Sequence, residues 1–275
     1  MTHGKRPDDG RIVVGLAQLI CRLGDKEANL ERAEQLLAQL AGRATIACLP
    51  EMFDVGYNLE HLGARLFDLA EPVPGPTTER LASLARKLGL AIVAGVLEHD
   101  QHLADLLYDT AIVLDRQGEL VGRYRKSHLY PSEHRFFRAG SELAVLELEG
   151  LRIGVAICFE HAFPPIFATL ARRGAQIVFN PSAVPVGFDY LQDLRTRARA
   201  QDNQIFVAAV NHVGKEGEVT YCGRSQVADP RGEVIAMAPD DQEAALIADL
   251  SLDLIRHQRR QEPIFRSLRP ELYEA

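Results

Sequence analysis

At 275 residues, 47% hydrophobic and 25% charged, the chain has the composition of an ordinary globular protein that can bury a large core, as one layered α/β unit or as two domains. A formal net charge of -7 argues against an electrostatic grip on phosphate backbones, and so against nucleic acid as a partner. No window approaches the roughly 18 apolar residues of a membrane span, and the polar start MTHGKRPDDG holds no signal core. Together with four scattered cysteines (Cys21, Cys48, Cys158, Cys222) that form no CxxC pair, this reads as a cytoplasmic protein with reduced thiols.

Hydrophobic runs and amphipathic stretches alternate along the chain. RIVVGLAQ (11–18) reads as a strand, KEANLERAEQLLAQLAG (26–42) as a helix stopped by glycine, and ATIACLP (44–50) as a buried strand. After the loop AEPVPGP, TTERLASLARKLG predicts a helix and LAIVAGVLE another strand. Residues 109–126 read as a hairpin turning at Asp115 to Gly118, and LAVLELEGLRIGVAIC as a second one turning near Gly150. PPIFATLARRGAQIVFNPSA is helix then strand, YLQDLRTRARAQDN a helix and QIFVAAVN a strand. A further hairpin from Tyr221 to Met237 precedes the strand EAALIADL.

Helices between some strands and hairpins between others predict an α/β fold with two mixed sheets covered by outer helices, a four-layer α-β-β-α sandwich. No repeat, low-complexity tract or composition break marks a linker. The expectation is therefore a single domain over 1–275, with its core at about 11–250 and a tail-like extension at 251–275.

Cys158 ends the apolar run of RIGVAICFEHAFPP, just before Pro164 and Pro165, which suit the first turn of a helix. A thiol between strand end and helix N-terminus can have its thiolate favoured by nearby amides, and it can equally be a small buried hydrophobe. A nucleophile needs a base. Glu160 and His161 follow in sequence with uncontrolled directions, whereas His128, His134 and His212 read as surface or core residues, and no His cluster has metal-ligand spacing.

Glu51 follows a buried strand and Pro50, where open α/β sheets build their sites and where burial would raise its pKa, although a solvated loop glutamate reads the same. Arg123, Arg125 and Lys126 read most simply as a basic face, but alternation separates Lys126 and Tyr124 from the two arginines. If Tyr124 points inward, so does Lys126, which then needs Glu51 and Glu133 as anionic company.

Four segments in order, LPEMFDVGYN, YRKSHLYPSEHRFFRAG, GVAICFEHAFP and RARAQDNQIFVAAVNHVG, resemble the nitrilase superfamily of carbon-nitrogen hydrolases over about residues 11–250. The resemblance implies Glu51 as general base, Lys126 as the triad lysine, Cys158 as the nucleophile that forms an acyl-enzyme, and Glu133 as a second glutamate that positions the lysine. It implies the backbone N–H of Phe159 as an oxyanion donor, no metal or organic cofactor, and a homodimer or higher homo-oligomer. Phe159-Glu160 stands where true nitrilases usually carry Trp-Glu and many amidases Tyr-Asp or Trp-Asp, which leaves the subfamily open. Tyr57, His161, Ala183, Val184 and Phe188 are pocket candidates, and Arg135 or Arg138 is a candidate partner for a substrate carboxylate. The leading expectation is hydrolysis of a small linear amide or N-carbamoyl compound. A nitrilase is the alternative within the class, and a non-catalytic binding or thiol-sensing protein the alternative outside it.

Overall fold

Period-two alternation decides which side of a sheet each residue faces, and here it feeds two different cores from the same strands. In the computed structural model, which describes residues 11–273, the chain runs β1 (Arg11–Gln18), α1 (Lys26–Leu40), β2 (Ile46–Leu49), α2 (Leu59–Leu62), α3 (Arg65–Leu69), α4 (Pro76–Leu88) and β3 (Ala91–His99). Two hairpins follow: β4 (Leu107–Leu114) with β5 (Leu120–Arg125), and β6 (Val145–Leu148) with β7 (Leu151–Val155). Next come α5 (Pro164–Arg172), β8 (Ile177–Ser182), α6 (Asp189–Asn203), β9 (Phe206–Asn211), β10 (Val213–Glu216) and β11 (Val219–Cys222). The last elements are β12 (Gln226–Ala228), β13 (Val234–Met237), β14 (Ala244–Ser251), α7 (Leu252–Gln261) and α8 (Ile264–Ser267).

One sheet has the order β14-β1-β2-β3-β4-β5, with β1, β2 and β3 parallel and the other neighbours antiparallel. The other, β6-β7-β8-β9-β12-β13, has the same succession of strand directions, with β7, β8 and β9 parallel. Alternate residues such as Val14, Leu16, Ile46, Val93, Ile153, Phe179 and Val210 meet between the two sheets. Their neighbours face outward, Ala47, Leu49 and Ile92 onto α1 and α4, Val178 and Val207 onto α5 and α6. This is the four-layer α-β-β-α sandwich.

Local chemistry sets the helix ends. Asp25 accepts from the Ala28 N–H at the start of α1, and Pro76 and Pro164 open α4 and α5, where a missing N–H costs nothing. Gly89 stops α4 in the left-handed region at φ +62°.

Three expectations need correction. The hairpin expected from Tyr221 to Met237 is two: β11 pairs with β10, and β12 pairs with β13, with Gly223 and Arg224, both at positive φ, breaking the run between them. The strand before Cys158 stops at Val155, and Cys158 opens a 3₁₀ turn instead. The extension at 251–275 is core in its first part, because Ile255 of α7 is buried between the sheets and Leu252 and Leu254 pack beside it, an apolar turn covering the end of the sandwich. Residues 1–10, on which the signal-core reading fell, and 274–275 lie outside the described residues. No described helix is long and apolar enough to cross a membrane.

Gly95, in the middle of β3, passes directly beneath the turn after β2: a Cβ there would lie 2.6 Å from Glu51 Cα and from the Pro50 carbonyl oxygen. Both are backbone and cannot swing away. Gly95→Ala is expected to lower stability by about 1–3 kcal/mol in urea unfolding, and an unchanged midpoint would count against this close approach.

Candidate active site

The ends of β2, β5 and β7 bring Glu51, Lys126 and Cys158 to one end of the sandwich. Glu51 is fully buried on the turn after Pro50. Its backbone is held from below, since the Glu51 carbonyl accepts a hydrogen bond from His212 Nε2, while His212 Nδ1 faces Glu216 Oε1 at 2.6 Å. A carbonyl only accepts, so Nε2 carries hydrogen, and the carboxylate opposite Nδ1 makes the ring an imidazolium. Burial alone would lower the His212 pKa, but the facing Cys21 and Glu216 raise it well above the usual range. Glu216 Oε2 also accepts from the Tyr57 N–H at 2.8 Å, which ties the β10–β11 hairpin to the Glu51–Tyr57 turn.

Lys126 points inward with Tyr124, as alternation predicts, and both are buried. Its Nζ donates to Glu51 Oε1 and Glu133 Oε1, each at 2.6 Å, and lies 3.3 Å from Asp109 Oδ2. Burial would lower its pKa, yet the negative charges around it, Glu51 first and then Glu133, raise it well above the ordinary lysine value. Glu133 is itself fixed by donors, the Tyr57 hydroxyl on Oε1 and the Tyr130 N–H on Oε2. Three buried carboxylates around one ammonium cannot all stay ionised. Burial, then repulsion by Glu51, pushes Asp109 well above the carboxylate range, so Asp109 is the neutral one. That leaves Glu51 with one oxygen on Lys126 and the other, Oε2, buried with no hydrogen-bond partner.

Cys158 stands at φ +43°, a backbone conformation uncommon for a side-chain-bearing residue, at the start of the 3₁₀ turn Cys158–Ala162. Its thiol is not acidified as a helix N-terminus would suggest. Burial, then the negative charge of Glu51, raises its pKa well above the usual value, against the opposing pull of Lys126 and the Ala183 N–H. The turn is fastened by Glu160, which is fully buried and accepts from the Tyr124 hydroxyl at 2.7 Å, the Ser127 N–H at 2.9 Å, the His128 N–H at 3.1 Å and the Ile157 N–H at 2.7 Å. Burial would raise its pKa, but these donors hold it below the usual range, so Glu160 is an occupied anion and has no capacity left to act as a base. It joins the Cys158 turn to the residues just after Lys126.

Tyr57, Phe159, His161, Ala183, Val184 and Phe188 line a cavity of about 380 Å³ with Cys158 in its wall. His161 is buried, and burial followed by the charges of Arg195 and Arg199 pushes it down to about 3, so it is neutral. Arg135 and Arg138 are exposed and stand outside this cavity, Arg135 with Glu60 at 3.6 Å. Sequence spacing did not reveal that the short 3₁₀ turn at Glu133 aims the next side chains outward. Arg195, which does line the cavity, went unnoticed inside an ordinary amphipathic helix.

Asp109 also went unnoticed, because β4 is buried along its whole length and alternation there carries no signal. The one clue is an acid inside the apolar run LYDTAIVL. Two groups of ligand-type side chains lie within 4.8 Å of one another among the described residues, Glu51, Asp109 and Glu133 in one, Cys21, His212 and Glu216 in the other. In the first, the Lys126 ammonium already occupies the carboxylates, and in the second, His212 and Glu216 are hydrogen-bonded to each other. The protein itself supplies the partner in each.

Comparison with known proteins points the same way. The family model described as Carbon-nitrogen hydrolase matches residues 13–260. The chain is 37% identical to "Hydrolase in pqqF 5'region" of Pseudomonas protegens, over 95% of this chain and 90% of that one. It is 33% identical to a nitrilase of Pyrococcus abyssi (95% and 99% covered) and 30% identical to the N-carbamoylputrescine amidase of Solanum lycopersicum (96% and 94%). Among solved structures, Saccharomyces cerevisiae Nit3, a member of branch 10 of the nitrilase superfamily, superposes with a TM-score of 0.86 at 27% identity, covering 96% of this chain and 97% of that one.

An acid whose pKa is raised in the folded state binds its proton over a pH window in which the unfolded chain has released it, so stability falls as pH rises through that window. Asp109→Asn removes the ionisation and keeps the shape. It is expected to be more stable than the parent by on the order of 1 kcal/mol or more at about pH 8 and little changed at about pH 4, read by urea unfolding. Equal effects at both pH values would show that Asp109 is not the neutral acid of the cluster.

Proposed function

The chain belongs to the carbon-nitrogen hydrolase family and is a hydrolase of the amidase type, and from that premise we propose that it cleaves the C–N bond of a small linear amide or N-carbamoyl compound through a thioester on Cys158. The observation that carries this reading is the buried Glu51, held by Lys126 through one oxygen and left without a partner on the other, within electrostatic reach of a thiol that still carries its proton.

Glu51 takes the Cys158 proton as sulfur bonds to the substrate carbon, so the charge moves to the substrate oxygen instead of resting on sulfur. The Lys126 ammonium and the Phe159 backbone N–H receive that oxyanion, at about 3 kcal/mol for each well-placed donor. Collapse breaks the C–N bond, and Glu51 returns the proton to the departing nitrogen as ammonia or amine leaves. Glu51 then takes a proton from water, hydroxide adds to the thioester, the C–S bond breaks, and the proton goes back to sulfur. Glu133, anchored by Tyr57 and Tyr130, holds Lys126 in place throughout.

A second reading is favoured by the likeness to the nitrilase of Pyrococcus abyssi: the same thiol adds to a nitrile carbon and gives a thioimidate. We also propose a homodimer. It is supported by Tyr190 and Leu194, large apolar side chains one turn apart on α6 that stand exposed in the single chain.

Ammonia release from aliphatic amides, aromatic amides, N-carbamoyl amino acids and matched nitriles should fall about a thousandfold or more in Cys158→Ala, and the preferred substrate column chooses between amidase and nitrilase. Full activity of Cys158→Ala would refute the thioester. Light scattering should give twice the chain mass for the parent and a shift toward the single chain for Leu194→Asp; a parent that runs as a single chain removes the dimer.

A further inference from the structure

The cavity walls are largely apolar, and their charges are few enough to follow individually. Glu60 stands at the edge, exposed, with Arg135 at 3.6 Å. Arg195, half-buried on α6, has a different kind of partner. Its Nη1 donates to His161 Nε2 at 3.2 Å, and no other hydrogen bond or ion pair to Arg195 exists among the described residues. A guanidinium has five N–H donors and no acceptor, so His161 must be accepting at Nε2 and its own proton sits on Nδ1. The imidazole therefore orients the guanidinium and leaves its positive charge unanswered. Neighbouring Arg199 adds to the local positive potential while spending its own donors elsewhere, Nε on the His161 carbonyl and Nη1 facing Asp202 at 3.5 Å.

An oriented, unpaired guanidinium in an apolar cavity wants a planar anion with two oxygens. We propose that Arg195, held by His161, receives a carboxylate at the far end of the substrate, so that this enzyme acts on short amides or carbamoyl compounds whose chain ends in a carboxylate. The proposal rests on the assignment of the Cys158 cavity as the hydrolytic site. It makes Arg195 a specificity residue, and His161 the group that positions it.

The test compares three amides of matched length, glutaric acid monoamide, valeramide and the amine-ended analogue, in ammonia-release kinetics with the parent, Arg195→Gln and Arg195→Lys. The parent should prefer the carboxylate-ended amide, and Arg195→Gln should raise KM for it by about 10- to 100-fold, the size of a lost charge-assisted pair, with a smaller rise for Arg195→Lys. A loss of the same size on valeramide would make Arg195 merely structural, and a parent preference for the neutral or amine-ended amide would overturn the proposal outright. Calorimetric binding of glutaric acid monoamide to Cys158→Ala, with and without Arg195→Gln, decides the role of Arg195 separately from turnover. If none of the three amides is hydrolysed, the simple-amide reading of the Cys158 site fails, while weaker binding in the double variant would still support the carboxylate site and equal binding would refute it.

Discussion

A lysine ammonium with no exposed surface is tolerated only where carboxylates replace the water it has lost, and Lys126 forces the rest of the site to form around that requirement. Glu51 and Glu133 meet it at 2.6 Å from opposite chain segments, and Asp109 fills the remaining side. The three acids cannot all be charged, so one is kept neutral and one has an oxygen to spare. On the proposed function, reactivity would follow from an electrostatic excess: more acid than a single cation can satisfy, sealed away from solvent.

Such a cluster is useful only if its members cannot drift apart, and a further buried anion and a buried ion pair serve that end. Glu160 collects donors from β5, from the residues after Lys126 and from the Cys158 turn, so the thiol and the ammonium share one rigid support. On the far side, the His212–Glu216 pair holds the Glu51 carbonyl and the Tyr57 N–H together. Each ion is fully satisfied by hydrogen bonds, and removing one partner would leave a buried charge unpaired, a loss of roughly 3–5 kcal/mol for pairs of this kind. Gly95 fits the same scheme from the strand below, where the absence of a side chain lets β3 press against the Glu51 turn.

Much of this was legible from residues alone. Strand and helix runs follow period and capping signals, and the inward turn of Lys126 follows from its sharing a face with Tyr124. What stayed hidden depends on contacts between distant residues: His212 and Glu51 are 161 positions apart, and Glu160 and Tyr124 are 36 apart. Buried on both faces, β4 masks Asp109, since a strand without alternation has no face to assign. The shared succession of strand directions in the two sheets was equally invisible, because pairing and direction depend on the connections and leave no repeated residues to detect.

Cys158 rests with its proton on, kept there by burial and by the negative charge of Glu51. Peroxide and soft electrophiles consume thiolates, and a cysteine that is permanently ionised is the first to be lost when conditions turn oxidising. A sulfur that becomes nucleophilic only when its proton has somewhere to go, and a substrate oxygen stands ready to take up the charge, is spared that attrition. The carboxylate that would activate it for turnover also protects it between turnovers, so chemical durability and catalytic readiness come from one buried charge.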